Sequence, residues 1–225
     1  MEAPAGYEMG MRNPINGVTM RTTMVVLAVA GLWLAASRAH AQSGQRRGGL
    51  WVEAGLGHGT MNVSCDSVCF GGPRTGGMAG FVEVAAVDQH FRMGGALHVW
   101  WHSGSPDFTS SASASQRLTN IGAVLHYYPA AGGAGRGRGG FFLGGGLGLS
   151  NYHSTSADAF SNAWGWGFTA DAGYDMALGS RVSLTPRLTY SYGNLGTVHN
   201  TGAHPFSLTG WKQNVIDLGV GLTYR

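Results

Sequence analysis

Cysteine is almost missing from this chain: Cys65 and Cys69 are the only two in 225 residues. A redox or metal role for the pair would need a depressed thiol pKa or further ligands, and the sequence offers neither. Lysine is rarer still, with Lys212 alone, and the preference for arginine reads as codon bias before it reads as function. Once the leader described below is set aside, the charge balance is only slightly positive, too weak to argue for nucleic acid. Long apolar runs are lacking as well. Met24 to Ala36 is an apolar run of 13 residues, short of the roughly 20 that a membrane-spanning helix needs. Beyond it no stretch keeps a helical period for three turns, so helices are expected to be scarce. Glycine is plentiful, at 39 residues, but the Gly-X-Y period of collagen is absent. Glycines spread through alternating strands fit a crowded barrel interior better than a disordered linker.

The front of the chain reads as an export signal. Arg21 follows Met20 as a short basic segment, the apolar run comes next, and Ala39-His40-Ala41 puts small residues at a cleavage site. Cleavage is predicted before Gln42. Residues 1–41 are then leader and signal peptide, 42–48 a short linker, and 49–225 a single domain. Met1 to Thr19 has no pattern of its own, which makes Met20 a candidate for the true start. A buried N-terminal helix is the rival reading, but nothing caps it and a polar Gln-Ser-Gly-Gln-Arg-Arg stretch follows.

After Gly48 the chain divides into eight alternating segments, near 49–60, 76–87, 91–103, 116–128, 139–150, 163–178, 181–192 and 210–224. Each reaches or exceeds the roughly 9–11 residues a tilted strand needs to cross a bilayer. The breaks at 61–75, 104–115, 151–162 and 193–209 are long and rich in Ser, Thr, Gly and Asn; those at 88–90, 129–138 and 179–180 are mostly short. Short turns on one side and long loops on the other are the asymmetry of a membrane barrel.

Side chains in a strand alternate faces, so each segment can be split in two. The seventh has Val182, Leu184, Pro186, Leu188, Tyr190 and Tyr192 on one face and Arg181, Ser183, Thr185, Arg187, Thr189 and Ser191 on the other. The sixth sets Trp164, Trp166, Phe168, Ala170, Ala172 and Tyr174 against Gly165, Gly167, Thr169, Asp171, Gly173 and Asp175. The second face is small and sparsely charged. It makes a poor water-facing surface and a good lining for a narrow barrel, so the apolar face is expected outside, against lipid. Trp51, Trp100, Trp101, Trp164, Trp166, Tyr190, Tyr192, Trp211 and Tyr224 collect near strand ends and suit interfacial girdles. Pro186 cannot donate to the ladder, so a bulge or a vacant donor position is expected there.

The same alternation sends Glu53, Glu83, Arg92, His98, Asp171, Asp175, Arg187 and Asp217 into the lumen. Opposite charges in so narrow a space should pair, because an unpaired buried charge is very costly. A network of Arg92 and Arg187 with Glu53, Glu83, Asp171 and Asp217 is expected to plug the barrel. No metal site is expected: His98 and His102 share a face, but four residues along a strand span roughly 13 Å. His126 could approach from the fourth segment, yet no carboxylate spacing supports a site. Cys65 and Cys69 fall in the first long break of an exported chain, where a structural disulfide is the default. The Gly-Arg-Gly-Arg-Gly-Gly run at 135–140 reads as a flexible basic turn rather than an RNA-binding box.

The final segment carries a further signal. Asp217, Gly219, Leu222 and Tyr224 occupy a pattern of polar, any, Gly, any two, apolar, any, aromatic, which resembles the C-terminal signal of bacterial outer-membrane β-barrels. Arg225 departs from it, since the usual last residue is the aromatic. With the strand count, alternation and loop asymmetry, residues 49–225 resemble small outer-membrane barrels of the OmpA, OmpX and OmpW kind. The resemblance implies an all-β, eight-stranded antiparallel up-and-down transmembrane barrel in the bacterial outer membrane, inserted by the barrel-assembly machinery, with both termini periplasmic. Its surroundings would be outer-membrane lipid and lipopolysaccharide, and an extracellular ligand could engage its outer loops; no cofactor and no nucleic acid are expected. The function expected is structural or surface-interaction, not enzymatic, with OmpW-like passage of small apolar molecules as the alternative. A lipid-modifying enzyme is less expected. His153 and Ser154 are neighbours and must face opposite sides of a strand, and an acyl pocket needs an apolar lumen where this one reads as polar, with Trp100 and Phe81 the only hints otherwise.

Overall fold

In a computed structural model, residues 49–66, 74–88, 90–104, 114–129, 140–156, 159–202 and 205–225 are described. The leader and linker calls, 1–41 and 42–48, and nearly all of the 135–140 run lie outside these residues. The strands are β1 (Leu50–Ser64), β2 (Thr75–Val87), β3 (Phe91–Gly104), β4 (Ala114–Tyr127), β5 (Phe141–Thr155), β6 (Ala159–Tyr174), β7 (Met176–Ala177), β8 (Val182–Gly202) and β9 (Phe206–Tyr224). Chain neighbours pair antiparallel except β6 and β7, which both pair with β8, and β1 pairs with β9 across the closure, so the ring has no free edge. β6 and β7 are two parts of one stave, giving eight staves in all.

Pro186 explains that division. The Val182 carbonyl accepts from Leu178 and the Arg181 carbonyl accepts from Arg225, so even-numbered residues of β8 turn their peptide groups toward β6 and β7. Pro186 therefore lacks its N–H on that side. The ladder lapses at Tyr174–Asp175 and resumes at Met176↔Leu184 with no change of register. Of the two expectations, the vacant donor position is the one realised, and no bulge forms at Pro186.

Gly49 and Arg225 lie at one rim, where β2 gives way to β3, β4 to β5 and β7 to β8. Toward the opposite, far rim the strands run well past the expected limits. The break expected at 193–209 is largely ladder, with Val198↔Leu208, His199↔Ser207 and Asn200↔Phe206 paired; β5 and β6 likewise consume much of 151–162. Ser, Thr and Asn favour loops there, but a waiting neighbour strand overrides so weak a local preference. The extension is irregular: register shifts fall at Asn162/Trp166, Asn194/Gly196 and Gly196/Val198. Gly196 and Gly210 supply the positive φ values, 68° and 67°, in this region.

The outer wall is apolar. Leu56, Met93, Leu147, Leu188, Leu218 and Leu222 are all more than half exposed on it. The expected girdle needs correcting. Trp51 and Trp100 are buried, at 1% and 0% exposure, because their parity points them inward, and Trp211 packs against the lumen core. Outward aromatics at the terminal rim are instead Phe91, Tyr127, Phe141, Tyr174 and Tyr224. Toward the far rim stand Trp164 and Trp166, and below them Phe168 stacks on Tyr192 and lies tilted against Tyr190.

Candidate functional site

The site is the lumen, and it is filled. Its floor, at the terminal rim, is a cluster of Trp51, Val87, Tyr128 and Phe142. Arg225 closes the floor from below: its guanidinium lies 4.4 Å from the Trp51 ring, donates to Ser183 Oγ at 2.9 Å, and stands 3.8 Å from Asp175. Asp175 also accepts from Tyr128 Oη at 2.9 Å and Thr185 Oγ1 at 2.8 Å.

Above the floor lies the charged layer. Arg92 Nη1 is 2.9 Å from Glu53 and its Nε 3.1 Å from Glu83, with the guanidinium between the rings of Trp51 and Phe142. Arg187 reaches Asp171 at 2.9 Å, Glu83 at 3.2 Å and Glu53 at 3.9 Å, over the Phe81 ring. His126 stands between two carboxylates, Nδ1 3.1 Å from Glu83 and Nε2 3.0 Å from Asp171. Two arginines face three carboxylates, and Arg92 Nε also donates to His126 Nδ1 at 2.9 Å, which leaves the Nε2 side of the ring to Asp171. Glycine makes this crowding possible: a Cβ on Gly144 would collide with His126 and Asp171.

The alternation thus places Glu53, Glu83, Arg92, Asp171, Asp175, Arg187 and Asp217 inside, all at 6% exposure or less. They do not form one network. Asp217, expected among the arginine partners, stands one level higher and faces His98 at 3.2 Å. Asp175 belongs to the floor with Arg225. His126 takes the place given to Asp217; lying opposite Arg92 in the β3–β4 register, it is well removed from His98, which lies opposite Asn120. His126 shares the inward parity of β4, and the register decides what it meets.

The third layer overturns the expectation of a polar lining throughout. Toward the far rim the lumen is packed with Met61, Ala79, Trp100, Leu118, Tyr152, Ala163, Leu195, Val198 and Val215. Trp100 is at its centre, with Nε1 donating to the Gly59 carbonyl at 3.3 Å and its ring where a Cβ on Gly77 would stand. Phe81, the other sequence hint, sits lower, against Arg187. Leu195 and Val198 of this layer lie within 193–209, where the sequence predicts a loop.

Of the remaining candidates, Gly219 faces inward, whereas Leu222 and Tyr224 face out and are more than half exposed. Cys65 directly follows β1, and its expected partner Cys69 lies outside the described residues. His153 and Ser154 sit on opposite faces of β5, as adjacent residues must. Among the described residues no three His, Cys, Asp or Glu side chains group as a metal site would.

No known protein-family model matches the chain, and no curated protein matches it. Solved structures do. Neisserial surface protein A superposes with a TM-score of 0.55 at 15% identity, covering 78% of this chain and 96% of that one. Ail of Yersinia pestis, solved with the heparin analogue sucrose octasulfate, gives 0.46 at 11% identity over 80% and 100% of the two chains. OprG of Pseudomonas aeruginosa gives 0.46 at 15% over 80% and 96%. The protein therefore has the fold of the small eight-stranded barrels of bacterial outer membranes. At these identities it is the fold that is shared.

Proposed function

We propose that the chain is an integral outer-membrane barrel with both termini in the periplasm, whose lumen is closed and whose work is done by the far-rim hairpins at the cell surface. The apolar outer wall supports insertion, and the pattern of Asp217, Gly219, Leu222 and Tyr224 supports delivery by the barrel-assembly machinery. The carrying observation is the charged layer: Arg92, Glu53, Glu83, His126, Asp171 and Arg187 are wholly or nearly wholly buried across the width of the barrel. An eight-stranded lumen is only wide enough for its own side chains, and here those side chains are locked to one another. The disulfide between Cys65 and Cys69 belongs to the same reading, stiffening the first surface hairpin. Two measurements test it. A folded barrel should migrate differently in a detergent gel before and after boiling, from the outer-membrane fraction. In planar bilayers the wild-type chain should show no steady openings; sustained conductance would refute the plug.

One observation favours a second reading, passage of small apolar molecules. The apolar far layer is the lining that such a route requires, and Ala163, Leu195 and Val198 of that layer lie where the β6–β8 register shifts. Liposome uptake of an apolar dye, compared between wild type and Trp100→Ala, distinguishes the two. Equal permeability in both, at the level of empty liposomes, rules transport out.

A further inference from the structure

Between the charged layer and the apolar far layer, part of the lumen wall carries no side chains. Gly122, Gly148 and Gly167 are direct cross-strand partners on β4, β5 and β6, all with inward parity. The staves approach closely here. A Cβ on Gly122 would collide with the Leu147 carbonyl, and one on Gly148 with the Ile121 carbonyl. No larger residue fits at these positions, so the space in front of them cannot be filled from this wall. What remains is a cavity of about 30 Å³, and His98, Asn120 and Thr169 supply the polar side chains of its lining. His98 and Asn120 are paired in the β3–β4 register, and Asn120 Oδ1 lies 3.1 Å from where a Gly167 Cβ would stand. Thr169 Oγ1 leans over Gly146, its partner on β5. Asn120 is only 7% exposed and His98 only 5%. Yet Asn120 Oδ1, Asn120 Nδ2 and His98 Nδ1 meet no hydrogen-bonding partner among the described residues.

We propose that this cavity is a binding site for water, one or two molecules that bridge His98, Asn120 and Thr169 and stand in for the side chains the glycine row omits. A single buried water needs roughly 10–15 Å³ of such space and two to four polar partners, and the cavity offers both. The chemistry of the lining selects water over other small occupants. Asn120 Nδ2 is a donor and would turn its positive end on a cation; Asn120 Oδ1 is an acceptor and would repel an anion. An apolar guest would leave the amide and the imidazole unpaired. Water donates and accepts at once, and a water-mediated bond is nearly as good as a direct one. The inference goes beyond a closed lumen: between its ion pairs and its apolar cap, the plug includes solvent as a structural part.

The test uses the full chain, folded in detergent and crystallised with rubidium in place of sodium. Wild type should show density for one or two waters within hydrogen-bonding reach of Asn120 and Thr169, with no anomalous signal from rubidium there. Urea unfolding of Asn120→Leu supplies a second measurement, because the sign of its effect depends on the occupant. The variant keeps the approximate size of the side chain and removes both amide atoms. Where water satisfies the amide, its loss strands the water's other partners, and the unfolding equilibrium should shift about tenfold toward the unfolded chain. Where the cavity is dry, the same change removes an orphaned amide and stabilises the barrel. A wild-type cavity without density, a rubidium peak in it, or a stabilised Asn120→Leu would each overturn the site.

Discussion

The lower and upper halves of the lumen close the same cylinder with different materials. In the charged half, Arg187 has three carboxylates within 3.9 Å and His126 stands between two. Such contacts are directional, and each group depends on several others, so one deletion strands its former partners in a dry site. In the apolar half, Trp100 is held by dispersion and one hydrogen bond, and its loss leaves a hole rather than a charge. The first arrangement is specific and brittle; the second is soft enough to be repacked.

The most severe way to probe the difference is to remove Arg187. Arg187→Ala leaves Asp171 and Glu83 short of positive charge, and breaking a buried pair by removing one partner costs about 3–5 kcal/mol. Urea unfolding in vesicles should register a loss near the top of that range. Trp100→Ala should cost somewhat less, about 3 kcal/mol, from lost transfer energy and the cavity left behind. The two should part when benzene is added: an apolar cavity binds it and regains stability, whereas the charged site gains nothing. If benzene restores both variants or neither, the two halves are not built differently.

At the boundary, His98 meets Asp217 at 3.2 Å, with one partner where the layer below has two or three. His98→Gln keeps a donor and should cost only about 1 kcal/mol by the same unfolding measurement. A loss as large as that of Arg187→Ala would move the boundary pair into the charged cluster.

How much of this was legible in the sequence follows from what strand periodicity encodes. Parity is local, so Glu53, Arg92, Asp171 and Arg187 could be sent inward from their own neighbours. Partners are not local: whether Arg187 meets Asp171 or Asp217 depends on register and tilt across staves, which is why His126 stands where Asp217 is expected. In the apolar far layer, Met61, Tyr152, Leu195 and Val198 lie past the bilayer-length segments, and the last two flank a positive-φ glycine, whereas Ala79, Trp100, Leu118, Ala163 and Val215 lie within those segments and share the inward parity of the charged residues. Trp51 and Trp100 were placed in the girdle from their position near strand ends, although their parity already pointed them inward.

The mildest probe asks whether the wall or its filling holds the charged half in place. Pro186, next to Arg187, leaves the ladder open at Tyr174. Pro186→Val keeps a lipid-compatible side chain and supplies an N–H on the β6 side. A recovered hydrogen bond contributes about 0.5–1.5 kcal/mol, and losing proline's restriction of the unfolded chain removes about 0.4–1 kcal/mol. The two nearly cancel, so unfolding free energy should move by no more than about 0.5 kcal/mol, while hydrogen exchange shows a newly protected amide at position 186. That contrast, a repaired ladder without a stability gain beside a large loss in Arg187→Ala, would locate the stiffness of this half in its ion pairs. A gain of several kcal/mol in the repaired variant would locate it in the wall.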